Sequence, residues 1–242
     1  MKYLKKYKLF ESVNETKIHD LCKKYVIENY TINSDGSIDV DSSVYLEYKD
    51  LTKLPLNFRN VSGGFHCDNN QLTSLEGAPS QVGRDFYCYN NNLTSLEGAP
   101  TSVGGFYCYN NQLTSLEGAP SQVGGYFYCY NNKLTSLEGA PNSVGGYFFC
   151  HNNKLTSLKG LEWKSFNRID LRNNPVYKLV KDWINNENRI DLIEYFVDMN
   201  IIQDGEDKPK LILPRLKAFH EEMELEMDID FEEVKKYYKI IE

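Results

Sequence analysis

Five of the six cysteines in this 242-residue chain, Cys67, Cys88, Cys108, Cys129 and Cys150, recur at steps of 21, 20, 21 and 21 residues. Thiols in such a series could hold a soft metal, pair as disulfides or serve as nucleophiles. Zinc and redox sites draw on close pairs such as Cys-x-x-Cys, which this chain lacks. Extracellular disulfide frameworks use irregular intervals, whereas these follow a structural clock. A repeat of this length places one thiol per coil, about 4.8 Å from the next, facing a dry core where cysteine acts as a small hydrophobe. We expect no cofactor and no metal from it.

Other groups give equally little chemistry. His19, His66, His151 and His220 share no metal-ligand spacing, and Val-Gly-Gly reads as a coil corner rather than a phosphate loop. Glu76, Glu97, Glu117 and Glu138 form a like-charged column relieved at Lys159, as expected of solvated surface.

The aromatic residues around each cysteine differ. The chain repeats aromatic-x-Cys-x-x-Asn-x-Leu, as in Phe127, Cys129, Asn132 and Leu134. Alternation along a strand sends Phe127 and Cys129 inward and Tyr126, Tyr128 and Tyr130 outward. One outward column reads Tyr45, His66, Tyr87, Tyr107, Tyr128, Phe149, Asp170. The next reads Glu47, Asp68, Tyr89, Tyr109, Tyr130, His151, Arg172, and Tyr126 with Tyr147 adds a third rank. An exposed aromatic sheet marks an interaction surface, and its charged ends are not what simple copying of a unit would produce.

The elements that present these residues follow from the period. The frame continues back to Val44, Leu46 and Leu51 and forward to Ile169, Leu171, Asn174 and Val176, which predicts about seven coils. Leu134, Leu137, Ala140 and Val144 fill the rest of one coil, Pro141 keeps its return side extended and Gly145–Gly146 permits re-entry. Asn70, Asn91, Asn111, Asn132, Asn153 and Asn174 form a column able to satisfy buried backbone groups between coils.

A solenoid must cover its end coils. Residues 1–43 read as an N-terminal cap: a capping box at Ser12 and Glu15, a helix carrying Ile18, Leu21, Cys22, Tyr25 and Val26, and a hairpin of Tyr30–Ile32 with Ser37–Val40. Residues 44–176 form the solenoid. Residues 177–242 read as a helical cap or arm, with helices through Leu179 to Trp183, Ile190 to Met199, Pro214 to Leu225 and Phe231 to Ile241.

The formal charge is −7, and residues 179–242 hold nine basic against seventeen acidic side chains. No basic face offers the counterion release that drives nucleic-acid binding. The opening MKYLKKYKLFES lacks a signal's apolar run, and no stretch approaches the roughly 18 apolar residues of a membrane span. The expected location is cytoplasmic.

The unit LTSLEGAPSQV followed by a strand and Asn-x-Leu resembles the short leucine-rich repeats of bacterial effector proteins, departing from them by Glu for the first Pro, Ala for the middle Leu and one extra residue in most units. The wider layout, SDGSIDVD, LTKLP, the FYCYNN repeats and NNPVYKLV leading into helices, is similar to repeat proteins of tailed bacteriophages. The resemblance implies an α/β leucine-rich repeat solenoid with short parallel strands on a concave face and helical caps at both ends. The effector ligases of this repeat type carry a catalytic cysteine in a C-terminal domain; no cysteine follows Cys150.

The expected function is non-catalytic: protein binding through Tyr87, Tyr89, Tyr107, Tyr109, Tyr126, Tyr128, Tyr130, Tyr147, Phe149, His151, His66 and Arg172. By the phage likeness, the partner is a host protein, inhibited or sequestered as a defence component. The rivals are a sponge that stacks nucleotides, glycans or other small molecules on the rings, and a packaged virion component. Homo-oligomerisation through the same face is compatible with each.

Overall fold

The computed structural model describes residues 14–161, 167–184 and 191–242. Its centre is a parallel β-solenoid. Seven short strands, Val44–Tyr45, Phe65–His66, Phe86–Tyr87, Phe106–Tyr107, Phe127–Tyr128, Tyr147–Phe149 and Arg168–Asp170, form one parallel sheet in chain order. Register is strict, with Phe127 beside Phe106 and Phe148, and Tyr128 beside Tyr107 and Phe149. Seven strands bound about six turns, one fewer than the repeat count predicts.

The inward residues are those the period selects. Phe65, Phe86, Phe106 and Phe127 stack along the axis at centroid spacings of 5.4, 5.4 and 5.7 Å. The five repeat cysteines and the leucines at Leu72, Leu93, Leu113, Leu134 and Leu155 are fully buried beside them. Each coil thus adds one slice of a continuous core, the arrangement that makes repeat stability a sum of neighbour contacts.

The return side departs from the α/β expectation. Among the described residues the coils carry no helix. Short strands instead pair in parallel, Ser102–Val103 with Gln122–Val123 and Ser143–Val144, and Phe58–Val61 with Gln81–Val82. The valines point inward, and the space left by a 20 to 21 residue coil is too thin for a helix of about 10 Å diameter. The turn before this side needs Gly139: its φ is +81°, and a Cβ there would lie 2.6 Å from Glu117 N of the preceding coil.

Both ends are mixed rather than helical. Residues 14–24 are helical, and the hairpin follows as expected, Tyr30–Ile32 antiparallel to Ile38–Val40. The capping serine, Ser12, lies outside the described residues, as does Ile190. At the other end, helices Tyr177–Ile184, Asp191–Asp198 and Leu213–Glu222 gather Trp183, Phe196 and Phe219 into one aromatic cluster. The expected helix from Phe231 to Ile241 does not form. Asp230 caps only Phe231–Val234, after which Tyr238 donates its buried hydroxyl to Thr156 O at 2.7 Å. That anchor lays Lys239–Ile241 into a three-stranded sheet with Lys210–Ile212 and Ile202–Gln203. Among the described residues no helix is long and apolar enough to cross a membrane.

Candidate binding face

Two asparagine columns hold the strands' ends in place. The inner column does what the sequence implies: Asn132 Nδ2 donates to the carbonyls of Cys108 (3.1 Å) and Cys129 (3.0 Å), while its Oδ1 accepts from Leu113 N (3.0 Å). The outer column was not anticipated. Asn69, Asn90, Asn110, Asn131, Asn152 and Asn173 all have left-handed backbones, φ between 52° and 58°. Their side-chain amides run head to tail, each donating to the previous coil's Oδ1 at 2.6 to 2.7 Å. The Asn-Asn pair in every unit was its visible signal, since asparagine tolerates this backbone region best after glycine. The ladder ends on a carboxylate, Asn69 Nδ2 donating to Asp68 at 2.7 Å.

Above the strands, the outward residues sit in the expected ranks. Tyr89, Tyr109, Tyr130 and His151 stack at 4.4, 4.4 and 4.5 Å with ring planes within 9° of parallel. In the neighbouring rank, His66 stacks on Tyr87 at 4.4 Å, Tyr87 on Tyr107 at 4.7 Å and Tyr128 on Phe149 at 4.7 Å. Tyr126 and Tyr147 are the more exposed pair, with centroids 5.5 Å apart. Arg172 is exposed at the far end, and all twelve expected residues share this one face.

The middle rank breaks once. Tyr107 meets Tyr128 edge-on, at 5.2 Å and 90°. Gly105 explains it: a Cβ there would lie 2.8 Å from Tyr107 Cε2 and 2.9 Å from its hydroxyl, so Tyr107 lies across the space that Tyr126 and Tyr147 fill one and two coils later. The rings of His66, Tyr87 and Tyr107 thus lean over Gly64, Asp85 and Gly105, and Tyr126 and Tyr147 form a more exposed ridge beside them.

The electrostatics are polarised along the axis. Burial raises the Tyr87 hydroxyl, which also donates to Asp85 at 2.9 Å; burial and the Asp85 charge push Tyr107 up to about 12. Tyr87 and Tyr107 stay neutral and remain donors at any physiological pH. Glu47 and Asp68 stand at the first end of the Tyr89 rank, with Glu47 Oε2 lacking a hydrogen-bond partner among the described residues and Asp68 buried. At the last end Asp170 is buried, and burial would raise its carboxyl. The Arg172 side chain and backbone N–H outweigh that and hold it below the usual range, with Arg172 Nη2 at 2.6 Å. His151 Nδ1 lies 3.3 Å from the same carboxylate without hydrogen-bond geometry, and burial depresses its pKa.

The buried cysteines fit no chemistry of their own. Desolvation raises every repeat thiol, the opposite of an activated nucleophile. Among the described residues no group of three or more His, Cys, Asp or Glu side chains is placed to hold a metal.

Fold and face together define the class: a capped parallel β-solenoid displaying a continuous aromatic surface. No protein-family model, curated protein or solved structure matches the chain.

Proposed function

We propose that this protein is a non-catalytic recognition module that docks another protein on its tyrosine-rich sheet face. One observation carries the reading: Tyr89, Tyr109, Tyr130 and His151 are stacked on one another. Their π-faces are covered within that rank, so it offers ring edges and hydroxyls, on a face whose rings run over roughly 24 Å of solenoid, the five strand spacings from Tyr45 to Phe149. Tyrosines held in this way lose little entropy on binding and combine apolar area with a donor, the properties of protein-binding hot spots.

The same observation disfavours a sponge that stacks bases or sugars. An incoming planar ligand finds faces at the ends of the Tyr89–His151 stack but not along it, and small ligands prefer enclosed sites. Kinship with short bacterial leucine-rich repeats, and sequestration of a host defence protein by a phage-encoded chain, extend this proposal on the strength of the repeat motifs.

The test is capture from bacterial lysate by the intact chain, compared with Tyr89→Phe/Tyr109→Phe/Tyr130→Phe, which keeps the stack and removes the hydroxyls. A protein retained by the wild type and lost by the variant is expected. A metabolite retained equally by both would favour the sponge.

A further inference from the structure

The rings on the face are not all arranged alike. Those of Tyr89, Tyr109, Tyr130 and His151 cover one another. Beside them, Tyr107 meets Tyr128 at 90°, and Tyr126 is tilted by 32° from Tyr128 and by 51° from Tyr147, so these rings leave part of their faces open. Tyr126 and Tyr147 are also the more exposed pair, at 43% and 39%. Their column continues in register to Arg168, whose guanidinium lies 6.0 Å from the Tyr147 ring centroid and forms no ion pair among the described residues. At the column's other end the ring of Tyr107 lies over Gly105. One ridge therefore reads Tyr107, Tyr126, Tyr147, Arg168, a group per coil over roughly 14 Å.

The hydroxyls of Tyr107, Tyr126, Tyr128 and Tyr147 make no hydrogen bond among the described residues. Asp85, the carboxylate beside Tyr107, already accepts from Tyr87. The ridge thus presents donors, open aromatic surface and a terminal cation, and little that accepts a hydrogen bond. A segment with ordinary backbone N–H groups would lose water from them there without gaining a partner, which is costly. A proline-rich segment brings carbonyls without those donors. Its conformation also fits the spacing: polyproline II repeats every three residues, roughly 9.3 Å, close to the roughly 9.6 Å of two coils, whereas an extended strand repeats at about 6.7 Å and falls out of step. We infer that the ridge holds a proline-rich segment of the partner in the polyproline II form, lying along the solenoid axis with an acidic residue over Arg168. Its pyrrolidine rings pack on the tilted tyrosines and the hydroxyls donate to its carbonyls, as in other aromatic sites for this conformation. This rests on the docking reading and names what the ridge takes; the Tyr89–His151 stack meets the rest of the partner.

The experiment is selection by the intact chain from a library of random peptides about nine residues long, three turns of polyproline II. Retained sequences should carry proline at a spacing of three and Asp or Glu at one end. Selection on Arg168→Glu should replace that acidic residue by Lys or Arg. A synthetic copy of the selected peptide should bind Tyr126→Phe/Tyr147→Phe, which keeps both rings, about tenfold more weakly than the wild type. Peptides without the proline period, or proline-rich ones held equally by the wild type and the double variant, would overturn the assignment. So would a library from which the wild type retains nothing. If the chain then still captures a protein from lysate through the Tyr89, Tyr109 and Tyr130 hydroxyls, the docking reading stands without this one; if it captures none, both fall.

Discussion

The rings of Tyr109 and Tyr130 lie 4.4 Å apart and within 9° of parallel, so each covers a π-face of the other. Stacking of this kind contributes about 0.5 to 1.5 kcal/mol per pair beyond area burial. The ranks consequently serve the scaffold as well as the surface, and truncating a tyrosine to alanine removes support from both its neighbours. Tests of binding must keep the ring and change its hydroxyl or its end charges.

The two asparagine columns should differ sharply in mutational cost. Asn132→Ala orphans Leu113 N in the core and removes one of two amides from the carbonyls of Cys108 and Cys129. A loss of about 3 kcal/mol is expected. Asn131→Gly keeps the left-handed backbone and loses only an exposed ladder step, for less than about 1 kcal/mol. Chemical denaturation of both variants checks the order; equal losses would mean that the inner amides are replaceable.

All six thiols are free and buried. A thiol reagent should leave the native protein unmodified on the timescale at which it labels the denatured chain, because modification must await opening. Rapid labelling of any repeat cysteine in the native state would show that the core is not dry.

Alkaline pH should unfold the protein through the tyrosine face. Burial raises Tyr87 and Tyr107, the latter to about 12, whereas an unfolded tyrosine ionises near 10. Below about 10 both states hold the proton and stability is complete; above it the unfolded chain releases protons that the folded one keeps. Stability should fall as pH rises from about 10 towards 12, with Tyr87 and Tyr107, followed individually by NMR, ionising together with loss of structure. Ionisation of either one in a still-folded chain near pH 10 would contradict the burial.

Much of this was legible in the sequence because Phe, Cys, Asn and Leu each repeat at a fixed place in a coil that admits one conformation. The strand face, the inner asparagine column and the outward ranks follow from alternation alone. The return strands did not, since pairs such as Gln122–Val123 are too short to show a period. Nor did the final strand: Phe231, Val234 and Tyr238 keep helical spacing, and only the contact of Tyr238 with Thr156, 82 residues away, turns the chain aside. Self-covering of the rings was implicit in the strand spacing, which is close to the distance of aromatic contact.

The most direct measurement takes the Tyr89→Phe/Tyr109→Phe/Tyr130→Phe protein and records its unfolding midpoint and its association with the partner that the wild type binds. A recognition face predicts a midpoint little changed and an affinity at least about tenfold weaker. An unchanged affinity with a lowered midpoint would mean that the tyrosines serve the scaffold alone.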